Sequence, residues 1–123
     1  KSLRKALGGG MRQAGLIASA GIFSLDHMIN RIKDDHSNAK ILASELNLIK
    51  NLEINLNQVH TNIIFLYNRD KTLSNQNLLL SLEKNNIKID YKGNSKFRLV
   101  THSGFRKEDI NAVIKVFRKI FKD

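Results

Sequence analysis

The residues of this chain whose types and spacing could do chemistry lie near its two ends. Close to the start, "KALGGGMRQAG" sets Lys5 and Arg12 on either side of Gly8, Gly9 and Gly10, directly before a run with helical spacing. Glycines ahead of a helix leave backbone N–H groups able to converge on an anion, and the positive end of the helix dipole lies there too. One reading is therefore a phosphate cradle flanked by two cations; the other is a flexible joint or helix stop that needs positive φ. The run matches neither the Walker pattern nor the GxGxxG fingerprint, so the residues alone leave both open. Towards the end, "KFRLVTH" alternates in a way that puts Lys96, Arg98, Val100 and His102 on one side of a strand and Phe97, Leu99 and Thr101 on the other. Arg98 could clamp a carboxylate, because its planar fork matches two oxygens. The alternative is a solvent-facing arginine on an edge strand. His102 has the same two faces, a ligand contact at a strand end or an ordinary capping or surface histidine.

Other groups carry less. His27, His36 and His60 show no ligand-like spacing, so no metal site is expected. Asp34 and Asp35 fall on the polar face of a helix, where they read as solvated. No Ser/His/Asp arrangement can be defended. The chain has 0 cysteines, which removes disulfides, thiolate metal sites and cysteine nucleophiles together.

The elements that must position these residues follow from periodicity. From Met11 to about Leu25 the residues Ala14, Ile17, Ala18, Gly21, Ile22 and Leu25 recur at helical steps, with a stripe of unusually small side chains. Asp26-His27 is a plausible joint to a second helix, whose buried face is Met28, Ile32, Ala39, Leu42, Ala43 and Leu46. Leu52 to Leu56 and Thr61 to Tyr67 read as strands. Thr72 or Ser74 caps a helix bearing Leu78, Leu79 and Leu82, and Ile87 to Tyr91 is a third strand. The Lys92-Gly93-Asn94 turn leads into a fourth, Lys96 to Thr101. A last helix runs from about Lys107 to Phe121, with Ile110, Val113, Ile114, Phe117 and Ile120 on one face. The expected fold is an α/β two-layer sandwich, a small mainly antiparallel sheet with helices packed on one face.

At 123 residues, with 41% hydrophobic and 26% charged residues, the chain is one domain's worth of globular protein. No apolar run approaches the roughly 20 residues that span a bilayer, and no signal peptide is visible. A formal charge of +10 raises nucleic acid or an anionic membrane as partner. The excess is spread along the chain, however, and reads as a lysine-rich solvated surface. The helical pattern of Leu3, Ala6 and Leu7 is already under way at Lys1, which suggests a piece of something longer.

"RKALGGGMRQAGLIASAGIFSLDHM", "DDHSNAKILASEL", "VHTNIIFL" and "FRLVTH", in that order over nearly the whole chain, resemble the C-terminal part of the low-specificity L-threonine aldolases. These belong to the β-eliminating lyase group of fold-type I pyridoxal-phosphate enzymes. The resemblance implies that residues 1–25 are a connecting helix from a cofactor domain and residues 26–123 the C-terminal small domain. It implies retro-aldol cleavage of L-threonine or L-allo-threonine to glycine and acetaldehyde with pyridoxal 5'-phosphate, in a cytoplasmic homo-oligomer, dimer or tetramer, with composite sites. Lys5 and Arg12 would be cofactor-binding residues that reach the phosphate held by a neighbouring subunit, and Arg98 would bind the substrate carboxylate. The family's Schiff-base lysine and ring-stacking histidine would lie upstream, so no catalytic residue is expected in this chain and none of the activity in isolation; Lys92-Gly93 is a turn between strands and does not match. No nucleic acid or membrane partner is implied. Where the family usually has Leu-Asp and a Ser or Thr cap after "RLVTH", this chain has "SGFRKED". A catalytically silent basic interaction module or nucleic-acid-binding module is the alternative on charge.

Overall fold

The computed structural model describes residues 2–122 and divides into two units, Lys1–Ile32 and Lys33–Asp123. The first unit holds α1 (Ser2–Ala6), α2 (Gly15–His27) and a single 3-10 turn, Ile29–Arg31. The glycine run ends α1. Gly8 sits at φ +82, the left-handed region that closes helices, and its N–H donates to Lys5 O at 3.1 Å. Gly9 N–H donates to Arg4 O at 2.7 Å, an approach so close that a Cβ at position 9 would lie 3.0 Å from that oxygen. Gln13, at φ 51, keeps the chain out of helical geometry, so α2 starts at Gly15 and not at Met11. From Gly15 to Leu25 α2 carries no charge, and Leu16, Ile17, Ile22, Phe23 and Leu25 are exposed. It ends at the expected joint, with the His27 ring 4.5 Å from that of Phe23.

The second unit contains α3 (Ile32–Asn47, entered from the first), β1 (Leu52–Glu53), β2 (Ile63–Asn68), α4 (Asn75–Glu83), β3 (Asp90–Tyr91), β4 (Lys96–Val100) and α5 (Lys107–Phe121). The four strands form one antiparallel sheet in the order β1-β2-β4-β3. Period-two alternation sends Ile64, Leu66, Phe97 and Leu99 to one face, where they are buried with Ala39, Leu42, Ala43 and Leu46 of α3, Leu78 and Leu82 of α4, and Ile110, Val113, Ile114 and Phe117 of α5. The helices contribute because their apolar residues recur at three- and four-residue steps, most regularly along α5. The fold is the α/β two-layer sandwich that the pattern predicts, and its other sheet face carries Phe65, Tyr67, Lys96, Arg98 and Val100.

Two strands are shorter than the alternation predicts, for identifiable reasons. The Ile54 N–H donates to the Asn47 side chain at 2.9 Å, and Asn55 caps a 3-10 turn, Leu56–Gln58, so β1 stops at Glu53. The Ile87 N–H donates back to Leu82 O at the end of α4 at 3.0 Å, and Ile87 and Ile89 pack on the core outside the ladder. Of the two candidate caps, Ser74 serves α4 by accepting from Asn77 N–H at 3.2 Å. Thr72 bonds Asp70 instead. At α5 the Arg106 N–H donates to the Asp109 carboxylate at 2.7 Å, so the third residue of the helix supplies the cap that position 106 cannot.

Both ends of β4 are fastened. Buried Thr101 donates its hydroxyl to Asp35 O on α3 at 2.7 Å, and Asn62 Nδ2 donates to Thr101 O at 2.7 Å. At the other end, Asn68 N–H donates to Ser95 O at 2.9 Å, while Asn75 Nδ2 donates to Ser95 Oγ at 3.1 Å. The buried Asn68 amide is itself satisfied, giving to Leu73 O and Asn75 Oδ1 and accepting from Asp70 N–H. Asp70 closes the loop into α4 by accepting from Thr72 N–H and Oγ1, both at 2.7 Å, and from Leu73 N–H at 3.1 Å.

Thr101→Val keeps the shape and removes one buried hydroxyl bond; it is expected to lower unfolding free energy by about 1–2 kcal/mol, read from the urea midpoint at unchanged slope. Hydrogen bonds from Thr72 hold the Asp70 carboxyl below its ordinary value of 3.8 in the folded chain. A depressed folded-state pKa contributes stability above the unfolded value that is lost as pH falls through the folded one. Asp70→Ala should therefore be destabilising at pH 7, with the gap to the native sequence narrowing below about pH 4; denaturant midpoints at pH 7 and pH 3 check this.

Candidate functional site: the open sheet face around Arg98

Arg98 stands in the middle of β4, between β2 and β3, and so is on an interior strand. In register, Phe65 of β2 lies on one side of it and Asp90 of β3 on the other. The burial of Phe97 and Leu99 beneath the sheet dictates that Arg98 points to the open face. There its Nη2 meets Asp90 Oδ2 at 2.9 Å, and Lys92 Nζ reaches the same oxygen. The Arg98 Nε is buried and has no hydrogen-bond partner among the described residues. A buried donor left unmatched is costly, and an acceptor oxygen, that of an anion included, would match it.

The surroundings form a shallow cleft of about 470 Å³ lined by Lys88, Ile89, Asp90, Arg98, Val100 and His102. His102 accepts from Gly104 N–H at Nδ1 (3.1 Å). Hydrogen bonding from Lys92, together with the charges of Lys92 and Arg98, holds the Asp90 carboxyl below its usual range. One register step along, the Lys96 ammonium lies 4.1 Å from the Phe65 ring centroid. At the β1 side, Arg69 lies over Tyr67 at 4.9 Å and pairs with Glu53 at 2.6 Å, which lowers the Glu53 pKa through that hydrogen bond. The face thus offers cations backed by aromatic rings, with Arg98 the one whose donor is both buried and unmatched.

Lys5 and Arg12 lie in the first unit, and both are exposed. With Gly8 and Gly9 N–H groups spent on α1 carbonyls, the glycine run acts as a helix stop, and converging amides from those two residues are not available to an anion. What remains for one are the two side chains and the start of α2, where Ala14 provides no side-chain cap. Neither cation is paired with a carboxylate among the described residues. Among the described residues no group of three or more histidines and carboxylates could hold a metal ion, and no helix is long and apolar enough to cross a membrane.

The sequence pattern does not single out Asp90 or Lys92 as neighbours of Arg98. A signal for them exists: "IKIDYKGNSKFRLV" is a hairpin about the left-handed Gly93-Asn94-Ser95 turn, and counting equally outward from it sets Asp90 opposite Arg98.

Residues 1–70 match the family model described as Beta-eliminating lyase. Low-specificity L-threonine aldolase 1 of Arabidopsis thaliana is 34% identical over 97% of this chain and 34% of its own length. Probable low-specificity L-threonine aldolase 2 of the same plant is 35% identical over the same shares. Low specificity L-threonine aldolase of Escherichia coli (strain K12) is 49% identical over 43 residues, 35% of this chain and 13% of that protein. The chain spans about a third of the length of the Arabidopsis relatives it matches. With more than half its residues within that match, the chain belongs to the beta-eliminating lyase family.

Proposed function

We propose that this chain is the C-terminal, carboxylate-gripping part of a pyridoxal-phosphate-dependent L-threonine aldolase, which splits L-threonine or L-allo-threonine into glycine and acetaldehyde. The observation that carries the reading is Arg98, held on an interior strand with a buried Nε that lacks an acceptor. A substrate carboxylate supplies that acceptor and a second oxygen for the rest of the fork. The names of the Arabidopsis relatives, which align over nearly all of this chain, support the choice of substrate.

The residues fit the cofactor in one respect that the structure lets us weigh. Lys5 and Arg12 flank the α1 stop and the uncapped start of α2, and their cationic ends are free of carboxylate partners among the described residues. In this reading they hold the cofactor phosphate, mainly in a neighbouring subunit of a dimer or tetramer, so each site is composite. When bound, pyridoxal phosphate supplies an electron sink for the charge left on Cα as the Cα–Cβ bond breaks. Arg98 fixes the other end of the amino acid, and a fixed carboxylate limits where Cα can sit. Residues 1–25 serve as the connecting segment and residues 26–123 as the small domain. The proposed enzyme is cytoplasmic, and in this reading its catalytic lysine belongs to the cofactor domain.

In the full-length protein Arg98→Ala should raise KM for L-threonine about 100-fold, the loss of a charge-assisted pair worth about 2–3 kcal/mol. Arg98→Lys should recover part of that, having charge without the fork. An unchanged KM in Arg98→Ala overturns the clamp. Lys5→Ala and Arg12→Ala should each weaken cofactor retention about tenfold, followed by visible absorbance during dialysis, since one charge-assisted contact is worth about 1.5 kcal/mol. Retention unaltered in both variants removes the phosphate role.

A further inference from the structure

Arg98 does not stand alone on the open face. Its cross-strand partner is Asp90, whose Oδ2 lies 2.9 Å from Arg98 Nη2. The same Oδ2 is shared with Lys92 Nζ. The pair is partly exposed, with side chains 40% and 44% accessible, so as a surface ion pair it stabilises the fold little. Its geometry has a different use. A long arginine side chain on an open sheet face has many rotamers, and tying one nitrogen to a strand neighbour selects among them. The Arg98 Nε is buried and has no hydrogen-bond partner among the described residues.

We propose that Asp90 is a positioning residue: its carboxylate anchors Nη2 of Arg98 across the β3-β4 ladder so that the remaining donors of the fork meet an incoming amino-acid carboxylate, while Lys92 neutralises Asp90 at the same oxygen. This rests on Arg98 being the carboxylate clamp. A bare carboxylate beside a clamp would repel the anion the clamp is meant to hold. Lys92 on the same oxygen offsets that repulsion, and Lys88 and His102, the other titratable groups lining the cleft, add no negative charge. Asp90 is fixed in turn by the hairpin. Lys92 N–H donates to Lys96 O at 2.8 Å and Lys96 N–H to Gly93 O at 2.9 Å across a turn in which Gly93 lies at φ +83. The arrangement gives an acidic residue a use in a cleft where Lys88 and Arg98 are cationic.

The test uses the full-length holoenzyme with Asp90→Ala, Asp90→Asn, Arg98→Ala and the double variant Asp90→Ala/Arg98→Ala. The readouts are the dissociation constant for glycine by calorimetry, KM and kcat for L-threonine, and the thermal midpoint. Asp90→Ala should weaken glycine about tenfold and raise KM alike, with kcat within about twofold of the native enzyme. Asp90→Asn keeps an acceptor for Nη2 and should lose less than about threefold. In the Arg98→Ala background, removing Asp90 should change neither constant, because a positioning residue acts only through what it positions. Native glycine affinity in Asp90→Ala, or an equal loss with and without Arg98, overturns the proposal while leaving the clamp intact if Arg98→Ala is itself impaired. Native affinity in Arg98→Ala overturns both.

Discussion

The pairing of β2 with β4 is the constraint on which the rest of this structure depends. Five consecutive residue pairs, from Ile63 with Val100 to Tyr67 with Lys96, fix the phase of both central strands at once. With phase fixed, Ile64, Leu66, Phe97 and Leu99 can only face the helices, and each contributes buried area worth about 2 kcal/mol to a core that α3, α4 and α5 complete. Slipping the register by one residue would put Arg98 into that core and expose Phe97, so the position of the cation is enforced by the burial of its neighbours. The polar bonds at Thr101 and Asn68 add to this by stopping the strand from fraying at either end.

The two units divide the chemistry differently. The second carries its own packed core, and Arg98 and Asp90 are held there by a ladder, two buried polar anchors and a tight turn. The first holds Lys5 and Arg12 on a short helix and a glycine-rich bend whose conformation comes from local bonds, Gly8 to Lys5 and Gly9 to Arg4. A glycine run beside cations invites comparison with phosphate loops, yet here the amides close a helix, and the electrostatics rest on side chains.

Much of the fold was legible in the sequence, because α5 and β4 have strong periods of their own. The bounds of α5, Lys107 to Phe121, are those expected from its apolar repeat and acidic first turn, and the outward set Lys96, Arg98, Val100 follows from alternation alone. The ends of β1 and β3 were not legible: they are set by where Asn47 and Leu82 take the N–H groups of Ile54 and Ile87, contacts between segments that local pattern does not encode. The site was readable in the same uneven way. The side on which Arg98 emerges was visible in the pattern, whereas its pairing with Asp90 needed the turn to be counted and its unmatched Nε needed coordinates. For the glycine run, the pattern is compatible with a joint or an anion cradle, and only the bonding of Gly8 and Gly9 shows that their N–H groups close α1.

The β3-β4 hairpin makes the partner of Arg98 a matter of distance along the chain as much as of residue identity. Asp90 and Arg98 are equidistant from the middle of the Lys92 to Lys96 turn, and β3 is only two residues long, so it has no further ladder to hold its phase if the turn changes length. One residue inserted or lost between Gly93 and Ser95 would turn Asp90 to the opposite face of the sheet from Arg98. In engineering terms, this turn is held in length as tightly as in backbone conformation, with Gly93, Asn94 and Ser95 all at positive φ.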